Sequence, residues 1–188
     1  TSAFASLGVA KVRLTGGEPS VRRDIGEIIA RVAAMPGIDK VAMTTNGWNL
    51  HRQIAGWHGA GLTNLNIIID DLDAARFAAI TGHDRLGEVV AGLDAALALG
   101  VPSVKVNAVL HRGWAEDAFE RFAQFVKERP MAVRFIELMR TADNADYFAA
   151  HHVSGKLLAT WLEARGWESR SRAFDDGPAI EYMHPDYR

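Results

Sequence analysis

Five short apolar runs recur along the chain, with amphipathic helical stretches between them, and this alternation restricts the fold more than any other feature. The runs lie in "KVRLTGGEP", "GIDKVAMTTNG", "LTNLNIIIDD", "PSVKVNAVL" and "MAVRFIELM". Between them, "RDIGEIIARVAAM" sets Ile25, Ile28, Ile29 and Val32 at helical spacing, with Asp24 as the expected cap. "HRQIAGWHGAG" predicts a short helix closed by glycine, and "DAARFAAITG" and "AEDAFERFAQFVKE" predict two more. "RLGEVVAGLDAALALG" is periodic through Leu86, Val89, Val90, Leu93 and Leu97. The pattern predicts a parallel α/β domain over residues 1–188, either a doubly wound sheet or a (β/α) barrel, whole or partial. In either fold, ligands bind at the carboxyl ends of the strands. Polar residues gather there: Thr15-Gly16-Gly17-Glu18, Thr44-Thr45-Asn46-Gly47, Asp70-Asp71 and Glu137. From about residue 143 the pattern is less regular. Val153-Ser154-Gly155 is expected to open a last helix, "GKLLATWLEARG", and Asp176-Gly177 to turn a terminal hairpin.

Composition narrows the classes of function. A net charge of −2 gives no electrostatic reason for nucleic acid or an anionic membrane as partner. No apolar run approaches the roughly 18 residues of a spanning helix, and "TSAFASLGVA" is unlike a signal peptide, so a cytoplasmic protein is expected. The cysteine count is zero, which excludes disulfides, thiolate zinc sites and cysteine nucleophiles within this chain. It equally excludes a thiolate-bound iron–sulfur cluster held by these residues alone.

Strand alternation puts Val12 and Leu14 on one face of the first run and Lys11 and Arg13 on the other. The same reading places Thr44, Lys105, Asn107 and Arg134 on the charged side. Cations aimed into a barrel interior require anions. Either Glu18, Asp70 and Glu137 neutralise them internally, or a phosphate-bearing small molecule does. Ile68 breaks the pattern, an apolar residue between Asn66 and Asp70 on the polar side. Neither a GxxxxGK[ST] loop nor a GxGxxG fingerprint occurs. His151-His152 suits a surface or capping role better than a metal site, and His83 and His111 have no partner at ligand spacing. Trp57, Trp161 and Trp167 read as core or half-buried packing. Lys105 also admits a Schiff-base role in an aldolase-like phosphate-sugar barrel with Glu137.

Taken in order, "KVRLTGGEP", "MTTNG", "GLTNLNIIIDDLD", "ITGHDRLGEVVAGLDAAL", "VKVNAVL" and "VRFIELM" resemble the radical S-adenosylmethionine (SAM) GTP 3′,8-cyclases of molybdenum cofactor biosynthesis. The likeness continues into "HHVSG" and "DGPA…HPDY". It implies a truncated partial (β/α) barrel of the radical SAM type, with SAM and [4Fe-4S] clusters as cofactors, GTP as substrate and a homodimer as assembly. Carried over by position, Lys11, Arg13, Thr44, Lys105 and Arg134 match GTP contacts, and Gly17, Glu18, Ile68 and Met139 match the SAM site. The family's cluster cysteines lie in a CxxxCxxC loop before the first strand and in a triplet beyond Arg188. The expectation is therefore a fragment or degenerate copy, inactive by itself and without metal. The resemblance also implies serine-like residues at Ile68 and Asp71, where "NIIIDDLD" departs from the family pattern. A non-catalytic nucleotide-binding barrel domain is the reading that competes with an enzyme.

Overall fold

The computed structural model describes residues 1–112, 115–170 and 179–187. The elements run α1 (Ser2–Ala5), β1 (Lys11–Leu14), a 3-10 turn (Pro19–Val21), α2 (Ile25–Ala33), β2 (Lys40–Thr45), α3 (Leu50–Gly59) and β3 (Asn64–Ile68). They continue with α4 (Ala74–Thr81), α5 (Leu86–Ala98), β4 (Ser103–Val109), α6 (Ala115–Lys127) and β5 (Ala132–Ile136). The last are α7 (Ala145–His151), α8 (Gly155–Glu163), β6 (Glu168–Arg170) and β7 (Glu181–Met183). Strands β1 to β5 are hydrogen-bonded in chain order, and the pairs β1/β2 and β2/β3 are parallel. This is the α/β fold that the alternation predicts. Among the described residues, no helix is long and apolar enough to cross a membrane.

The chain forms two compact units, residues 1–69 with 73–106, and residues 70–72 with 107–188. In the first, β2 and β3 bury Val41, Met43, Leu65 and Ile67 on one face. Helices α2, α3 and α5 add Ile29, Leu50, Ile54 and Leu93, all essentially inaccessible. Two glycines allow this closeness. A Cβ at Gly92 would stand 2.7 Å from that of Leu50, so α5 rests on α3 only without one. Gly47 has φ +79°, and its Cβ would meet Val89 at 2.7 Å. Asp73 caps α4 by accepting from the Arg76 amide at 2.9 Å. Asp24, expected to cap α2, does not: it stands at the cap position, but its carboxylate binds the Arg22 guanidinium at 2.7 and 2.9 Å. A two-residue step to a bidentate cation competes successfully with the helix amides.

The second unit is built on aromatic rings. Phe119 meets Phe135 and Trp161 edge-on at 5.5 and 5.7 Å, and Phe122 meets Phe135 at 5.2 Å. Leu110 and Ala123 complete this core, with Val153, Leu158 and Leu162 packed against it. Ser154 caps α8 through the Lys156 amide at 3.3 Å, as the sequence suggests. Strands β6 and β7 pair antiparallel. The turn expected at Asp176-Gly177 lies outside the described residues. Of the tryptophans, Trp57 and Trp161 are buried and Trp167 is half-buried, whereas Trp48 is 41% exposed.

Candidate functional site

In the first unit the alternation of β1 is borne out, with Lys11 and Arg13 exposed and Val12 and Leu14 half-buried. The register sets Thr44 of β2 opposite Asn66 of β3. Arg13 donates to Thr44 Oγ1 at 3.0 Å, and Asn66 Nδ2 makes a longer approach to the same oxygen at 3.4 Å. With both acceptor positions engaged, the Thr44 hydroxyl proton is left to donate outward. Lys105 is half-buried on β4, in the lysine-asparagine alternation with buried Val104 and Val106. The premise that these cations are buried is corrected, because Lys11 and Arg13 reach solvent and carry no full desolvation penalty. Ile68 is likewise 40% exposed, on the polar side and not beneath a helix. Its oddness in the pattern is real, but it is not a buried isoleucine.

The glycine turn after β1 is held by one carboxylate. Glu18 Oε1 accepts from the Ser20 amide at 2.9 Å and the Thr45 hydroxyl at 2.7 Å. Its Oε2 accepts from the Asn46 amide at 2.7 Å, which ties the end of β1 to the end of β2. Glu18 thus spends both carboxylate oxygens on the turn and on the end of β2. Gly17 has empty space where a Cβ would stand, leaving its backbone open to a ligand. Sequence reasoning overlooked Thr45 as the partner of Glu18. Alternation was the available signal, since it puts Thr45 on the face opposite Thr44.

In the second unit, Arg134 is exposed on β5 and Met139 is 74% exposed. Asp70 accepts from the Val109 amide at 2.9 Å, and burial pushes its carboxyl above the usual range. Glu137 accepts from the Gly155 amide at 2.7 Å at the start of α8 and meets His152 at 3.3 Å. The amide bond leads in holding the Glu137 carboxyl below its ordinary value. Among the described residues these carboxylates are engaged by the Val109 amide and by Gly155 and His152. Asn107 Oδ1 is buried with no hydrogen-bond partner among the described residues. Asp71 is fully buried and accepts from Arg121 at 3.2 Å, so the departure there carries its own counter-ion. His111 does find partners. Its Nε2 lies 3.0 Å from the Tyr147 hydroxyl, and its ring lies 5.1 Å from that of His151. Burial, then the neighbouring His151, pushes the His111 imidazole down. Among the described residues, no group of three or more histidine or carboxylate side chains is placed to hold a metal ion.

The sequence profile described as the radical SAM superfamily matches residues 2–126. The chain belongs to the radical SAM superfamily. It is 56% identical over 186 residues to a protein of Stenotrophomonas maltophilia named GTP 3′,8-cyclase, covering 99% of this chain and 57% of that one. A Synechococcus elongatus protein of the same name is 50% identical over 185 residues, covering 98% and 57%. The chain thus spans little more than half the length of these relatives. Among solved structures, a radical SAM methyltransferase from Sphaerobacter thermophilus superposes with a TM-score of 0.68 at 15% identity, over 88% of this chain and 51% of that one. That likeness speaks for the fold, a partial (β/α) barrel of the radical SAM type. The residues present do not fit the superfamily's iron–sulfur cluster, because none of the 188 is cysteine.

Proposed function

We propose that the chain is the central part of a cytoplasmic, homodimeric GTP 3′,8-cyclase, which converts GTP to (8S)-3′,8-cyclo-7,8-dihydroguanosine 5′-triphosphate in molybdenum cofactor biosynthesis. The observation that carries this reading is the row Arg13–Thr44–Asn66, on the strand face that also bears Lys11 and to which strand alternation assigns Lys105. Such a row offers a guanidinium and an oriented hydroxyl to a phosphate-bearing ligand. Lys11, Arg13, Thr44, Lys105 and Arg134 are the proposed GTP contacts. Gly17, Glu18, Ile68 and Met139 are the proposed SAM contacts, with Glu18 acting through the turn it ties. Those residues would hold SAM, which would be the source of radical chemistry only with an electron from a cluster whose thiolate donors these residues do not provide.

The thiolate donors are not among these residues, so the chain alone is expected to bind nucleotide without turnover. Anaerobic iron–sulfide reconstitution followed by assay for 5′-deoxyadenosine tests this. Stoichiometric cluster with deoxyadenosine release contradicts it. Nucleotide recognition is tested by melting curves with GTP, guanosine and triphosphate at two salt concentrations. GTP and triphosphate should raise the melting temperature, and salt should shrink the gain. Equal stabilisation by guanosine and GTP would show that the charges serve something else. For the aldolase-like alternative, borohydride trapping at Lys105 is the discriminating result, and none is expected.

A further inference from the structure

A solvent-open groove in the first unit shares no residue with the polar sheet face. One wall is the 3-10 turn with the first turn of α2; the other is Trp48, Asn49 and the first turns of α3. Three guanidinium groups line it, from Arg22, Arg23 and Arg52, and no carboxylate does. Asp24 already answers Arg22 at 2.7 Å, while Arg23 and Arg52 form no ion pair among the described residues. In a chain of net charge −2, that is a local excess of positive charge.

Three further observations at this groove point to a ligand. Both helices that open onto the groove lack a side-chain cap, since neither Asp24 nor Asn49 makes one. In α3 the Leu50 and Arg52 amides already donate to the Gly47 and Asn49 carbonyls, and in α2 the Ile25 amide donates to the Arg22 carbonyl, so the donor capacity on offer is that of Gly26 and Glu27. Gly26, in the first turn of α2, has nothing within 4 Å of the place a Cβ would occupy, so an anion has room to approach that turn. At the rim, Trp48 and Val21 are 41% and 63% exposed, and Asn49 is the one described non-glycine residue with a positive φ, +54°.

We propose that this groove binds a phosphate ester of a planar ring compound, of which a mononucleotide is the common cellular form. The phosphate is met by Arg23, Arg52 and the amides opening α2, and the ring lies against Trp48. This goes beyond the cyclase reading and does not depend on it.

The test is a residue-resolved NMR titration of the 15N-labelled chain with phenyl phosphate, inorganic phosphate and phenol. Phenyl phosphate should shift the Gly26 amide and the Trp48 indole N–H together and to saturation. Inorganic phosphate should move Gly26 alone and more weakly, and phenol should saturate neither. Arg23→Ala combined with Arg52→Ala, both at exposed positions, should weaken phenyl phosphate by about tenfold or more. Lys105→Ala should leave these shifts unchanged, which separates this site from the GTP site. No saturable shift at about 10 mM ligand, where even millimolar affinity is visible, overturns the proposal. So does phenol binding as well as phenyl phosphate, or an arginine double variant that binds normally. A glutamate-rich peptide that moves both reporters at lower concentration than phenyl phosphate overturns the assigned ligand class.

Discussion

In the first unit, Ile29, Met43, Leu50, Leu65, Ile67 and Leu93 are fully enclosed and come from elements that repeat every two or every 3.6 residues. In the second, Phe119 and Phe122 are the large enclosed side chains, and polar ties do much of the remaining work. Asp71 holds Arg121 of α6, and Glu137 caps α8. One unit is stabilised by many interchangeable aliphatic contacts and the other by a few specific ones. Single polar substitutions should therefore matter more in the second unit, and large-to-small substitutions more in the first.

The largest effect is expected from Leu93→Ala, which empties a fully enclosed position between helices and should cost about 2–5 kcal/mol in urea denaturation. A cost below about 1 kcal/mol would mean that α5 collapses onto α3 more freely than Gly92 suggests. Next comes Asp71→Ala. Breaking an enclosed pair costs about 3–5 kcal/mol, and the 31% exposure of the Arg121 side chain places this one at or below the lower end. Adding Arg121→Leu should recover most of the loss. If the double variant is as unstable as the single one, the pair is not what holds α6.

Glu137→Ala should cost about 1 kcal/mol, as loss of a cap does. Its pH dependence has a definite sign. The Glu137 carboxyl sits below its ordinary value, so its stabilisation is present above pH 4.5 and is lost as pH falls through the lowered folded value. The variant should lose this acid-side slope, and an unchanged slope would assign it elsewhere. His111 acts near neutrality. Its lowered value means the fold favours neutral imidazole, so stability in the second unit should fall as pH drops below 6.5. His111→Phe should flatten that fall. The smallest effect belongs to Ile68→Ser, which at 40% exposure should change stability by less than about 0.5 kcal/mol. Its readout is SAM affinity in a longer cyclase that carries the cluster cysteines, where serine should bind more tightly. Equal affinities would make Ile68 a neutral variation.

The contrast also explains what was legible beforehand. Val12 and Leu14 against Lys11 and Arg13, and the spacing of Leu86, Val89 and Leu93, gave the sheet face and the helices because burial has a period. Contacts without a period were not readable. Asp24 looks like a cap and instead takes Arg22, two residues away. Helix α7 hides in a stretch too short to show a period, and the meeting of His111 with Tyr147 and His151 depends on it. Alternation placed Lys11 and Arg13 on the right face but could not tell solvent from a closed interior, because burial of that face depends on what covers it.

The central claim is that the polar face of the first unit recognises a triphosphate. Calorimetric titration of GTP into the chain, beside Arg13→Ala and Lys105→Ala, tests it most directly. The account predicts saturable binding that weakens with salt and falls by about tenfold in each variant, as loss of a charge-assisted phosphate contact requires. Binding of unchanged affinity in both variants, or no binding at millimolar GTP in low salt, would contradict it.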